Sequence, residues 1–263
     1  MSQKPSIVII PGSFTGPDIY SNFASLLRGR GYEVIVGILQ SANRTRPEKA
    51  ATLQEDAAYF RGVAETLASQ GKDVVVVGHS YGGVVATESV KGVIKTEREA
   101  HGKAGGVVRV VYLVSVVADI GQGNFEAFGG QLGPFIRILQ SWVDIPFPKG
   151  EFMHIDPEAG APSLYSDLPE NEALEWARLS KIQSTASFLD PVTFAAVDYV
   201  PVTYIHTSTD RIIPLENQKG FVAKLKSRNA KNVSTITINA DHYPIVTAPE
   251  ETAKGIIDAI EGN

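Results

Sequence analysis

Residues 73–83, Asp-Val-Val-Val-Val-Gly-His-Ser-Tyr-Gly-Gly, constrain this chain more than any other stretch. Four consecutive valines, Val74 to Val77, are too few for a helix. A short β-branched run of this kind reads as a fully buried strand of a parallel sheet. It leads directly into Gly78-His79-Ser80-Tyr81-Gly82, a match to G-x-S-x-G, and then into helix-compatible sequence from Val84. A serine at such a sharp strand-to-helix turn is held in a strained conformation with its hydroxyl above the sheet. Gly78, Gly82 and Gly83 bring no Cβ atoms to clash there. The helix start leaves backbone N–H groups free where an oxyanion would form. The five-position pattern is unspecific by itself. The strand before it and the helix after it favour Ser80 as a nucleophile over a serine that merely caps the helix.

The rest of the chain repeats this alternation. Ser6 to Ile10 is an expected strand, followed by the loop Pro11-Gly12-Ser13-Phe14-Thr15-Gly16-Pro17. Ile19, Phe23, Leu26 and Leu27 recur at helical spacing, and Gly29 and Gly31 end that helix. Tyr32 to Val36 reads as a strand, Gln40 to Lys49 as a polar loop, and Ala50 to Gln70 as a helix. The helix after Ser80 is expected to run to about Thr96, a solvated loop over Glu97 to Gly106, and a strand over Val107 to Val116. After residue 190 come a strand at Val202 to His206, a helix at Leu215 to Lys226, a strand at Val233 to Ile238 and a helix at Pro249 to Ile260. Strands and helices alternating without hairpin turns give βαβ units. The expected fold is α/β, with a mostly parallel sheet of about six strands and right-handed crossovers placing helices on both faces.

Between about Gly121 and Pro191 the alternation breaks. This stretch is rich in Gly, Pro and aromatic residues: Phe125, Phe128, Phe135, Trp142, Phe147, Phe152, Tyr165 and Trp176. Helical pieces are expected at about Pro134–Trp142 and Glu170–Ser180, with no clear strand. The expected organisation is a core domain of residues 1–120 and 191–263, interrupted by a helical cap, 121–190, over the C-terminal edge of the sheet. Two or more of its aromatic residues lining a substrate cavity, or all of them forming the cap's own small core, are both open.

Composition excludes several functions. The 24 Lys and Arg against 29 Asp and Glu give a net charge of −5 without a basic tract, which argues against nucleic acid or an anionic membrane as partner. No cysteine is present, so disulfides, thiolate metal sites and cysteine nucleophiles are out. The apolar run Ile7 to Ile10 is shorter than the ~7–15 residues of a signal peptide core, and Val110 to Ala118 is far short of the ~18 a membrane span needs. A soluble, cytoplasmic protein is expected. No metal cluster and no G-x-G-x-x-G are present, so no cofactor is expected.

A serine nucleophile needs a base, and the base needs an orienting acid. Of five histidines, His79 diverges from Ser80, His101 lies in the solvated loop, His154 in the cap, and His206 at a strand end in the core. His242 follows the last strand in a loop that can reach across the sheet edge, and it gives the chain order Ser, Asp, His. Asp210 follows the preceding strand and is the favoured acid. Asp119, one strand earlier, is its rival, and Asp241 points elsewhere as the neighbour of His242.

On these residues the chain resembles the α/β-hydrolase superfamily. Within it, the chain is most similar to the small plant methylesterase and hydroxynitrile lyase group and its microbial esterase relatives. The resemblance covers nearly the whole chain, through Val8-Ile9-Ile10-Pro11-Gly12-Ser13, Gly78-His79-Ser80-Tyr81-Gly82-Gly83, Thr209-Asp210-Arg211-Ile212-Ile213-Pro214, and Ala240-Asp241-His242 with Pro249. It implies Ser80 as nucleophile, Asp210 as acid and His242 as base. It also implies an oxyanion hole made by the backbone N–H of Tyr81 and that of Ser13 or Phe14. The chain departs from the family by carrying Pro11-Gly12 in place of His-Gly. Ser80 excludes the epoxide hydrolases and dehalogenases of this fold, which use aspartate at that position.

The expected activity is hydrolysis of a small apolar carboxylic ester, lactone or thioester through an acyl-enzyme. A hydroxynitrile lyase-like activity and a non-catalytic small-ligand receptor are the alternatives. Against the lyase stand Gly12, where the lyases carry threonine, and Tyr243, where they carry lysine. Gly12 is expected to leave room for an oxyanion. The expected partner is a small apolar ester or lactone, and the oligomeric state is open, a homodimer included.

Overall fold

A computed structural model describes residues 4–139 and 151–262. Among the described residues nine strands run in chain order: β1 (Ser6–Ile10), β2 (Val34–Val36), β3 (Asp73–His79), β4 (Gly106–Leu113), β5 (Ile136–Leu139), β6 (Phe152–Ile155), β7 (Gln183–Ser184), β8 (Val202–Thr207) and β9 (Val233–Ile238). Six of them form one sheet in the order β2-β1-β3-β4-β8-β9, and every pairing in it is parallel. This is the α/β-hydrolase fold.

The valine run occupies the centre of that sheet. Val74 to Val77 are at most 1% exposed, because β3 pairs with β1 on one edge and β4 on the other while helices cover its faces. The helix Leu53–Ser69 presents Leu53, Ala57, Phe60, Ala64, Leu67 and Ala68 inward, and its start is held by a Thr52–Glu55 capping box. Burying each Val or Leu side chain is worth roughly 1.5–3 kcal/mol. That places a buried strand directly before Ser80.

Boundaries shifted where side-chain period is weak. The expected loop at 40–49 holds a short helix, Gln40–Asn43, and the expected loop at 97–106 holds Lys95–Ala100. The helix after Ser80 ends at Ser89 instead of continuing to Thr96. The β4 strand stops at Leu113, since Val114 takes φ 41° and turns the chain off the sheet.

The segment 121–190 differs most from expectation. It contains a three-stranded antiparallel sheet, β5-β6-β7, with Ile136 opposite Ile155 and Phe152 opposite Ser184. Residues expected to begin a helix at Pro134 instead form β5. There Ile136 and Ile138 are half-buried and Arg137 and Leu139 exposed, an alternation of period two. Helices Asn124–Ala127, Pro157–Leu164, Glu170–Ala177 and Ala186–Leu189 complete the described part. Trp142 and Phe147 lie outside the described residues.

Candidate active site

β3 delivers Ser80 to the C-terminal edge of the sheet. Ser80 adopts φ 53°, left-handed backbone that a non-glycine residue rarely takes. The turn is tight enough that a Cβ on Gly78 would stand 2.4 Å from the Gly82 carbonyl oxygen. One on Gly82 would stand 2.5 Å from that of Ile10. Ser80 itself is 8% exposed.

Two loops bring the other side chains. The loop after β9 places His242, whose Nε2 lies 3.0 Å from Ser80 Oγ. The loop after β8 places Asp210, whose Oδ2 lies 2.8 Å from His242 Nδ1. Since a carboxylate only accepts, Nδ1 carries the proton and Nε2 is left to accept from the serine hydroxyl. The other carboxylate oxygen of Asp210 accepts the backbone N–H groups of Ile212 and Ile213 at 2.6 and 3.1 Å, which fixes its orientation. Asp119 instead forms an ion pair with Lys224 at 3.2 Å and stands half-exposed. Asp241 is fully buried; it accepts from the Tyr243 N–H, the Thr247 hydroxyl and the Asp167 N–H. Burial holds its carboxyl above the usual range, against those hydrogen bonds.

The first loop contains both first-loop donors of the resemblance. The Phe14 N–H is taken: it donates to Gln183 Oε1 at 3.1 Å. Ser13 and Tyr81 line the cavity in front of Ser80, and their backbone N–H groups donate to no described residue. A Cβ on Gly12 would stand 3.1 Å from His79 Nδ1 and 3.4 Å from Ser80 Cβ, so the missing side chain makes room for both.

Two buried networks, neither anticipated from sequence, flank the serine. His79 Nε2 donates to the His242 carbonyl oxygen at 2.7 Å. Its Nδ1 therefore accepts, from the Tyr20 hydroxyl at 2.6 Å, and the Tyr20 oxygen accepts the Gly12 N–H at 2.9 Å. Burial, with the nearby His242, pulls the His79 pKa down from 6.5 to about 3 and keeps the ring neutral. On the other side, the Tyr81 hydroxyl donates to Asp56 at 2.8 Å. Asp56 also accepts the Ser41 N–H and hydroxyl. Gln183 Nε2 donates to the Ser41 hydroxyl oxygen at 2.8 Å. Desolvation raises the Asp56 pKa, and its hydrogen bonds oppose the rise.

Ser80 and His242 open into a cavity of ≈ 300 Å³. Phe125, Phe128, Phe135 and Phe188 of the inserted segment line it, together with Phe14. Phe152, Tyr165 and Trp176 are not in its wall; Tyr165 stacks on Tyr243 and on Trp176. Among the described residues no group of three or more His, Cys, Asp or Glu side chains could hold a metal ion. No described helix is long and apolar enough to cross a membrane.

A parallel sheet with a strained serine after its central strand and a histidine–aspartate pair at its edge defines a class, and comparison with known proteins agrees. The chain belongs to the Alpha/beta hydrolase family, whose model matches residues 7–254. Probable hydrolase R7 of Phoma sp. is 33% identical over 249 residues, 94% of this chain and 95% of that protein. Alpha/beta hydrolase nvfD of Aspergillus novofumigatus is 31% identical over 212 residues, 80% of each. Among solved structures, polyneuridine aldehyde esterase superposes with a TM-score of 0.76 at 21% identity, over 97% of this chain and 99% of that one.

Proposed function

We propose that the protein is a serine hydrolase of small, largely apolar carboxylic esters, lactones or thioesters. The observation that carries this reading is the chain Asp210–His242–Ser80, at 2.8 and 3.0 Å, opening into a phenylalanine-lined cavity. Ser80 Oγ attacks the carbonyl carbon and its proton passes to His242 Nε2. The Ser13 and Tyr81 N–H groups receive the oxyanion. The tetrahedral adduct collapses, the bond to the leaving oxygen or sulfur breaks, and Nε2 returns the proton to that group. Water then gives its proton to Nε2 and attacks the acyl carbon. The acid leaves and Ser80 recovers its hydrogen. Asp210 holds the imidazole in the required tautomer and balances its charge. Small esters also suit the names of relatives such as methylesterase 7 of Arabidopsis thaliana.

The lyase alternative has less support. Departing cyanide needs a cation, and the position after His242 is occupied by buried Tyr243 stacked on Tyr165. A threonine side chain at residue 12 would press on His79. Short p-nitrophenyl esters test the reading. Wild type is expected to release nitrophenol from them and, when treated with an alkyl fluorophosphonate, to gain one phosphonyl group with loss of fluoride, read by intact mass and absent in Ser80→Ala. Faster Ser80-dependent cleavage of mandelonitrile than of an aryl acetate would reverse it.

A further inference from the structure

Two side-chain amides stand in the buried zone between the inserted segment and the core, and they are treated differently. Gln183 uses both ends: Oε1 accepts from Phe14, and Nε2 donates to Ser41 and Ser187. Asn124 is 4% exposed and stands in the wall of the cavity that holds Ser80 and His242. Its Oδ1 is buried and has no hydrogen-bond partner among the described residues. The remaining polar side chains of the wall do not share this condition. Gln131 and Arg211 are exposed, Ser80 and His242 bond each other, and the Tyr81 hydroxyl bonds Asp56.

A buried acceptor without a donor is costly, because folding removed its water and returned nothing. Protein interiors rarely keep one without a reason. Asn124 borders the substrate cavity, and its Oδ1 as placed is enclosed. A half-turn about the last torsion exchanges the carbonyl and NH₂ ends with little change in shape, so either end of the amide can be turned to a ligand.

Resting on the hydrolase reading, we infer that Asn124 is a substrate-recognition residue and that the substrate carries a hydroxyl group on its otherwise apolar body. A hydroxyl both donates and accepts, so it satisfies the amide in either orientation. An ammonium group is the poorer match. The cavity wall contains no carboxylate among the described residues, and a cation would be desolvated there without a counter-charge. A site built around a hydrogen bond rejects the analogue that lacks the group, since the buried acceptor is then left unpaired.

The test is kcat/KM on matched pairs. One set holds p-nitrophenyl 3-phenylpropanoate and its three ring-hydroxylated forms; the other holds benzyl acetate and its hydroxybenzyl forms, followed by titration of the released acid. Wild type is expected to favour the hydroxylated member of at least one pair by about tenfold, and Asn124→Leu to bring that ratio close to one. A ratio near one for every pair in wild type, or a preference that survives in Asn124→Leu, overturns the inference. Melting temperature is the second readout. Replacing an unpaired buried amide by an apolar side chain of similar size should hold or raise the melting temperature of the ligand-free protein. A fall of several degrees would assign Asn124 a structural role and sink the proposal, and Asn124→Ala serves if the leucine variant does not fold. Cleavage of neither member by wild type would mark failure of the hydrolase reading instead. The matched product acids, titrated into wild type and variant by calorimetry, then decide Asn124 separately.

Discussion

His79 and Tyr81 flank Ser80 in the chain and lead into different buried networks. The His79 network runs from Gly12 through Tyr20 to the backbone of His242. It is uncharged, and it joins the first loop to the histidine loop entirely within the core. The Tyr81 network contains a buried carboxylate, Asp56, and passes through Ser41 to Gln183 of the inserted segment, ending on the Phe14 N–H. Both networks end on the first loop, two residues apart. One ties that loop to the loop of His242 and the other ties it to Gln183 in the segment 121–190. The geometry around Ser80 is therefore set from the core on one side and by the insertion on the other.

Removing the chemistry without touching either network gives the largest effect. Ser80→Ala should fold as wild type by circular dichroism and lose about 10⁶-fold in kcat. A folded variant with more than a few per cent of wild-type ester turnover would break the assignment. Asp210→Asn should lower kcat by about 10⁴-fold, because an amide NH₂ facing Nδ1 selects the wrong imidazole tautomer. Asp119→Asn should change kcat by less than about twofold, since Asp119 pairs with Lys224 at the surface. The same ester assay reads all three.

The two networks also mark where sequence stopped being informative. Strand, serine turn and helix were legible because each depends on local sequence: the valine run, Gly78 and Gly82, and the helical spacing after them. Asp210 and His242 were legible because each follows a strand, and parallel strands all deliver their following loops to one edge. The networks were not, because Tyr20 and His79 are 59 residues apart and Gln183 and Ser41 are 142 apart. No local pattern records such partners. The β5 strand was not legible because Pro134 to Leu139 has too few residues to separate a period of two from one of 3.6, and its pairing partner β6 begins only at Phe152. The vacant Asn124 acceptor has no sequence signal at all; it is defined by what fails to reach it.

On the Tyr81 side, Gln183→Leu sharpens the comparison. The Phe14 N–H loses its partner, the Ser41 hydroxyl oxygen loses the donor it accepts from while still donating to Asp56, and Phe14 sits at φ 61°, where the backbone needs outside support. An unpaired buried donor costs about 1–3 kcal/mol, so urea denaturation should register a loss of that order. The effect on kcat should exceed the effect on KM, because the first loop carries the Ser13 N–H. A variant as stable as wild type would show that the cap does not hold this loop.

On the His79 side the expected effect is smaller and appears as pH dependence. His79 is buried and neutral, with its folded pKa lowered to about 3 by burial and by His242. In the unfolded chain its pKa returns to about 6.5. Between those values the unfolded state binds a proton at this position and the folded state does not. Stability contributed here is present above about pH 6.5 and is lost as pH falls toward 3, with a slope of up to about 1.4 kcal/mol per pH unit. Carboxyls that hydrogen bonds hold below their usual range, such as Glu33 and Glu55, add slopes of their own, so the informative quantity is the difference between two proteins. His79→Gln keeps a donor for the His242 carbonyl and an acceptor for the Tyr20 hydroxyl, yet cannot titrate. Measured by urea unfolding at pH 7.0, 6.0 and 5.0, the variant should lose less stability than wild type over that interval while retaining ester turnover at pH 8. Parallel losses would mean that His79 is protonated in the folded state, and that the Tyr20 hydroxyl does not donate to it.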